Sequence, residues 1–203
     1  MPKERDPTES RRLTARRRAL QPLWSQLDRW LGPELQGGAL LAVSGGPDSA
    51  ALLEACATWP RRGSARLEVA CVDHGVRPEA ASEACGVKAR AQALGLVAHV
   101  LTATTVRADE ASLRTLRYRL LWDCARERCL GAVVTAHHQG DDAEGLLLDL
   151  LGLGGGRGGA GMPHYAPQAG GILVRPFLDL GRSVLLSALR AVDAPPPLQD
   201  PDD

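Results

Sequence analysis

The chain has 203 residues, 44% of them apolar and only 3% aromatic, with 24 basic side chains against 24 acidic ones. That length fits one domain, or one domain with a tail, and the apolar content is enough for a sizeable aliphatic core. A net charge of zero makes no case by itself for nucleic-acid binding. The longest apolar runs are too short to span a membrane, and no apolar segment follows the N-terminal arginines as a secretory signal requires.

Residues 1–11 are polar, carry Pro2 and Pro7, and are expected to be loose. Arg5, Arg11, Arg12, Arg16, Arg17 and Arg18 read equally as an RNA-facing arm or as a solvated terminus. Leu20, Leu23, Trp24, Leu27, Trp30 and Leu31 recur three and four apart, which predicts an amphipathic helix from about Leu13 to the Gly32-Pro33 break. Residues 1–36 are therefore taken as a basic arm with a helix, 37–193 as the main domain, and 194–203 as an acidic, proline-rich tail. The cysteines Cys56, Cys71, Cys85, Cys124 and Cys129 are odd in number and form no C-x-x-C pair, which argues for reduced thiols in a cytosolic protein.

Leu40 to Val43 is an uninterrupted apolar run, as a parallel strand covered on both faces requires. Ser44, Gly45 and Gly46 let the backbone bend sharply, and Pro47 suits the first turn of a helix that continues to about Thr58. The free N–H groups of such a helix start form an anion site together with the dipole. Asp48 lies inside that site, where a carboxylate repels a phosphate unless a metal ion stands between them. No Lys follows, so this is not a Walker A loop.

A second strand is predicted from Leu67 to Val72, ending in Asp73-His74-Gly75-Val76-Arg77-Pro78. A helix from about Glu79 to Leu94 turns Ala84, Val87, Ala91 and Leu94 inward and is capped by Gly95. The third strand is Val97 to Leu101, followed by a loop and a helix from about Glu110 to Arg128 that holds Arg114, Arg117, Tyr118 and Trp122. Residues 131–136 form a fourth strand leading to His137-His138, and a helix from Asp141 to Leu151 is expected to turn Leu146, Leu147, Leu150 and Leu151 inward. A glycine-rich loop fills 152–161, a short fifth strand covers 172–174, and a last helix runs over 179–192. The alternation implies an α/β fold: a doubly wound, parallel, five-stranded sheet with helices on both faces. In such sheets ligands bind beyond the C-terminal strand ends, where Ser44–Ser49, Asp73–Arg77 and His137–Asp141 all fall.

The order Ser44-Gly45-Gly46-Pro47-Asp48-Ser49 after a strand resembles the PP-loop of the N-type ATP pyrophosphatases, whose fold is adenine nucleotide alpha hydrolase-like. Further pieces follow in order: Val72 to Arg77, Glu110-Ala111 with Arg114, Arg117-Tyr118, Thr135-Ala136-His137-His138, Arg157-Gly158, Ala160 to Pro163, Arg175-Pro176 and Asp200-Pro201. This set resembles the tRNA(Ile)-lysidine synthases. Members use ATP to adenylylate C2 of the wobble cytidine of tRNA(Ile), and free lysine then displaces AMP.

The resemblance implies that Ser44, Gly45, Gly46, Pro47, Asp48 and Ser49 hold ATP and that Asp48 and Asp141 hold Mg2+. It implies a catalytic set of Asp48, His74, Arg114, Arg117, His137 and Asp141. His74 and Arg77 border the nucleotide, Arg114 and Arg117 contact phosphate or tRNA backbone, and His137 and His138 bind phosphate or shuttle a proton. Asp141 and Glu144 are its candidates for the lysine ammonium. From the residues alone, Arg114 and Arg117 also fit a solvated face, one of the two histidines a packing role, Asp73 a turn cap and Tyr118 a core position. The implied setting is the cytoplasm, with tRNA(Ile) and free lysine as partners, no membrane, and a homodimer as a further expectation. Alternatives are another PP-loop tRNA-modifying or amide-forming enzyme, or an ATP-binding relative impaired in catalysis.

The sequence departs from the family's usual H-H-x-D-D-Q-x-E-T. The first Asp is Gly140, the Gln is Asp142 and the Thr is Gly145; Ser112 replaces one usual Arg, and Gly152-Leu153-Gly154-Gly155 replaces R-G-S-G. These changes bear on lysine binding more than on ATP binding, with Asp142 as the expected substitute for the carboxylate missing at Gly140. The family's further helical domain is expected either in another chain or lost by truncation.

Overall fold

A computed structural model describes residues 7–31, 37–73, 75, 80–103, 109–151 and 161–192. Its elements are α1 (Pro7–Trp30), β1 (Ala39–Ala42), α2 (Pro47–Thr58), β2 (Leu67–Asp73), α3 (Ala80–Ala93), β3 (Val97–Thr102), α4 (Glu110–Glu127), β4 (Ala132–Val134), α5 (Gln139–Leu150), β5 (Tyr165–Gln168), β6 (Gly171–Val174) and α6 (Arg182–Ala191). The strands form one sheet in the order β3-β2-β1-β4-β6-β5, parallel except for β5 against β6. The chain moves outward from β1 to β2 to β3, then returns through α4 to β4 on the other side of β1. The strand order therefore reverses between β1 and β4, and this switch point is where an open parallel sheet leaves a crevice.

The two-residue period of the strands divides the core into two layers. Leu41, Val69, Val134 and Val174 face one way and pack with α1, α2, α3 and α6. Leu40, Ala70, Val133 and Leu173 face the other way, against Leu121, Cys124 and Ala125 of α4. Leu20, Leu23, Trp24, Leu27 and Leu31 of α1 are all buried in the first layer, each worth about 1.5–3 kcal/mol of burial. Trp24 Nε1 donates to the Ala55 carbonyl at 3.1 Å, which fixes α1 on α2. Trp30 stacks on His164 with ring centroids 3.7 Å apart, and Tyr165 Oη donates to the Trp30 carbonyl at 2.7 Å, which fixes α1 on β5.

Three expectations need correction. The sheet has six strands, not five. The extra one, β5, contains Pro167, which lacks a donor and is tolerated because this strand lies at the sheet edge. The first helix starts at Pro7 rather than Leu13, because a proline at the first position and Glu9 in the first turn suit a helix start. Helix α5 buries none of its residues: Leu147, Leu150 and Leu151, expected inward, are 57%, 80% and 63% exposed. Both core layers are packed by other helices, and no residue of α5 belongs to either. Three of the five cysteines (Cys56, Cys71, Cys124) are buried and all five are free.

At the opposite, N-terminal edge of the sheet, the buried Glu68 collects three partners. His99 Nε2 lies 2.7 Å from Oε2, Arg128 Nε donates to Oε2 at 2.9 Å, and Arg66 Nη2 donates to Oε1 at 2.7 Å. Burial alone would raise this carboxyl, but Arg128, His99 and Arg66 outweigh it and hold it at about 2. A depressed carboxyl contributes stability above its ordinary value of 4.5, and that contribution is lost as the pH falls toward 2. Glu68→Gln is expected to cost about 2–3 kcal/mol at neutral pH and to flatten the acid limb between those limits, read by denaturant unfolding against pH. A variant as stable as the parent with the same acid limb would contradict this account.

Candidate functional site

The crevice at the switch point is built from β1, β4 and the helices that start beside them. Beyond β1 the chain turns through Gly45, whose φ of +99° is open to glycine and strained for other residues. Helix α2 then begins with Gly46 as its cap and no capping side chain, so its first N–H groups have no intrahelical partner. The Ser49 hydroxyl occupies the middle of the turn. It accepts from Ser44 N and Gly45 N, each at 3.2 Å, and donates to the Gly46 carbonyl at 2.9 Å. Two of the donors expected to face a phosphate are thus engaged by Ser49, and the loop is held open from within.

Asp48 stands in the first turn of α2. Its Oδ2 lies 3.3 Å from Arg182 Nε, at the start of α6, and 3.7 Å from His138 Nε2, at the cap of α5. Its Oδ1 is buried and has no hydrogen-bond partner. Burial would raise the Asp48 carboxyl, but His138 and Arg182 outweigh it and keep the group below its ordinary value. Three helix starts, those of α2, α5 and α6, therefore meet on one carboxylate.

His138 caps α5, a position that Ser, Thr, Asp or Asn usually takes. Its Nδ1 accepts the Gly140 N–H at 3.0 Å, while Asp141 Oδ2 accepts the His138 N–H at 2.7 Å. Because Nδ1 accepts, the ring hydrogen sits on Nε2, the edge facing Asp48. A Cβ at Gly140 would lie 2.8 Å from His138 Cε1, so glycine at this position leaves room for the folded-back ring. Asp48 and Asp141, expected to share a metal, lie at opposite edges of this imidazole, with Asp141 Oδ2 3.4 Å from Nδ1. Asp142 accepts the Met162 N–H, which fastens the chain where it returns after 152–160. That bond engages one oxygen of the carboxylate expected to stand in for the one missing at Gly140.

His137 Nδ1 is 2.7 Å from Thr135 Oγ1. Burial first, and then the positive charge of Arg175, push the imidazole down to about 4, with Arg114 and Arg117 adding to the effect. His137 is therefore neutral near pH 7 and serves as a hydrogen-bonding group rather than a cation. Arg175 is buried beyond β6, and its Nη1 donates to the Pro163 carbonyl at 2.9 Å. Arg114 and Arg117 are exposed on α4, with Arg114 over the Tyr118 ring at 5.5 Å from its centroid. Tyr118 itself is partly buried against the second core layer. Asp73 Oδ1 accepts the Gly75 N–H at 2.8 Å and closes the turn after β2. His74 and Arg77 lie outside the described residues, as do 152–160. Arg182 was not read from the sequence as a site residue. The available signal was an arginine at the first position of a helix, where a positive charge is disfavoured unless an anion is near.

His138 is held above its ordinary pKa, chiefly by the Asp48 carboxylate beside Nε2 and against the effect of burial. The two neighbouring histidines are therefore expected to titrate on opposite sides of 6.5, His137 near 4 and His138 above 6.5. Their linkage signs are opposite. The depressed His137 removes stability as the pH falls from 6.5 to about 4, whereas the raised His138 adds stability on protonation. Imidazole Cε1–H chemical shifts against pH check this, and a single shared midpoint for both rings would contradict it.

The family model described as the PP-loop domain matches residues 20–194. The tRNA(Ile)-lysidine synthase of Methylobacterium nodulans is 46% identical over 170 residues, covering 82% of this chain and 49% of that protein. A protein of the same name from a Bradyrhizobium species is 40% identical over 173 residues, covering 82% of this chain and 48% of that protein. The chain spans about half the length of the curated relatives it matches. The solved structure of a U34-tRNA thiolase from Methanococcus maripaludis superposes with a TM-score of 0.70 at 11% identity, over 86% of this chain and 63% of that one, which is a likeness of fold. A glycine turn after β1, a carboxylate in the helix start beyond it, a crevice at the strand-order reversal and a family match over residues 20–194 agree, and the chain belongs to the PP-loop domain family.

Proposed function

We propose that this chain is the nucleotide-activating part of a tRNA(Ile)-lysidine synthase, a carbon–nitrogen ligase that consumes ATP and releases pyrophosphate and AMP. The observation that carries the reading is Asp48. Its carboxylate sits in the start of α2 at the β1/β4 switch point with one oxygen unclaimed, in a chain 46% identical to a synthase of that name. The N–H groups at the start of α2, which have no intrahelical partner, would take the pyrophosphate end of ATP. The buried, unpartnered Asp48 Oδ1 fits Mg2+, which is commonly held by one or two carboxylates together with substrate phosphates. No group of three His, Cys, Asp or Glu among the described residues is placed to hold a metal ion by itself, so the fit is to a phosphate-borne ion. When bound, Mg2+ would neutralise charge on the phosphate oxygens.

The proposed chemistry has two displacements. The C2 oxygen of the wobble cytidine attacks the α-phosphorus of ATP and pyrophosphate leaves. The amine of lysine then attacks C2 and the oxygen leaves with AMP. The chain's own part is to bind, orient and neutralise. Neutral His137, fixed by Thr135, would offer Nε2 to the activated base or to a phosphate oxygen. Arg114 and Arg117 would meet phosphate or tRNA backbone from α4, and His74 and Arg77 would border the nucleotide after β2. Asp141 holds His138 in place, and Glu144 is then the better candidate for the lysine ammonium. We place the activity in the cytoplasm, in keeping with five free cysteines; no helix among the described residues is long and apolar enough to cross a membrane.

A second reading is an ATP-binding relative that does not complete lysine transfer. It is favoured by the observation that one oxygen of Asp142 is engaged by Met162 N–H and that Gly140 supplies no carboxylate. Pyrophosphate and lysidine formation with ATP, Mg2+, lysine and tRNA(Ile) separates the readings. The ligase predicts both products, with Asp48→Asn lowering pyrophosphate release about 100-fold or more. ATP binding with no lysidine supports the second reading, and a wild type that neither binds nor cleaves ATP contradicts both.

A further inference from the structure

Arg182 occupies the first position of α6, with Gly181 before it as a cap that has no capping side chain. A cation there faces the positive end of its own helix and is disfavoured unless an anion compensates. Asp48 is the compensating anion, 3.3 Å from Arg182 Nε. Asp48 has further positive neighbours, since it already lies in the positive start of α2 and has His138 Nε2 3.7 Å from the same Oδ2. The positive groups of three helix starts thus gather on one oxygen of one carboxylate, while the other oxygen has no hydrogen-bond partner. Such an excess suits an anion of higher charge than a carboxylate. A guanidinium also presents the planar fork that matches a phosphate bidentately. The backbone before Arg182 is fixed: Gln139 N donates to the Leu180 carbonyl at 3.0 Å, which binds the entry of α6 to the entry of α5.

We propose that Arg182 is a phosphate-binding residue held in reserve on Asp48. When a nucleoside triphosphate enters with its divalent cation, Asp48 turns to the cation and the Arg182 guanidinium passes from Asp48 to an oxygen of the pyrophosphate end. The exchange keeps Asp48 compensated before and after binding, and it brings a second positive group to the phosphates at the moment Asp48 no longer needs it. This proposal rests on the nucleotide reading above.

Calorimetric titration with ATP and Mg2+ of the wild type, Arg182→Ala, Asp48→Asn and the double variant tests it, with thermal unfolding of each as the folding control. Arg182→Ala is expected to weaken ATP binding about tenfold, and to do so in the Asp48→Asn background as well, because the lost contact is to phosphate. Arg182→Lys, which keeps the charge and loses the fork, is expected to fall between. A loss that vanishes in the Asp48→Asn background would show that Arg182 acts only through Asp48 and would overturn the proposal. So would unchanged ATP affinity in Arg182→Ala. A wild type that does not bind ATP would overturn the nucleotide reading itself, and this proposal with it.

Discussion

Asp48 puts a negative charge where the peptide dipoles of α2 are most positive, and the neighbouring helices bring His138 and Arg182 to the same charge. In water such a group would need no partners. In the crevice it is half-buried, and its two oxygens have different surroundings: Oδ2 is crowded by positive groups and Oδ1 is without a hydrogen-bond partner. A buried acceptor left unmatched is costly. Here it lies beside helix N–H groups that have no intrahelical partner, a combination that suits a phosphate carrying its own cation.

The sheet makes this arrangement available. Parallel strands point all their C-terminal ends to one edge, and the strand order reverses there between β1 and β4, the place where open parallel sheets bind their ligands. Residues 43–49 follow β1 and residues 135–138 follow β4, so the two segments meet at that edge, with His138 Nε2 3.7 Å from Asp48 Oδ2. At the far edge of the sheet Glu68, with Arg66, His99 and Arg128, joins the end of α4 to β2 and β3. One edge is closed by ion pairs that satisfy a carboxylate, and the other is left open around a carboxylate that is only half satisfied.

Much of this was legible in the residues, for physical reasons. Buried parallel strands read as apolar runs, and glycines with a proline after such a run mark a turn into a helix. Other features depended on tertiary context that no local pattern carries. Strand β5 was not read from the sequence: it contains Pro167, and only its place at the sheet edge makes that strand tolerable. The leucines of α5 carried an inward pattern, yet both layers of the core were already covered, and Leu150 ended 80% exposed. The cap of α5 was missed because histidine is an unusual cap, which Gly140 permits by leaving room for the ring. Arg182 was invisible because its partner lies 134 positions earlier in the chain and meets it only through the convergence of α2 and α6.

The central claim is that Asp48 and the start of α2 receive the pyrophosphate end of ATP with a divalent cation. A crystal structure of the chain with a non-hydrolysable ATP analogue and Mg2+ tests it most directly. The account predicts Mg2+ about 2.0–2.1 Å from an Asp48 oxygen, with the β- and γ-phosphates against the first turn of α2. An analogue bound elsewhere, or phosphates at α2 with Asp48 still paired to Arg182 and no metal on either oxygen, would contradict it.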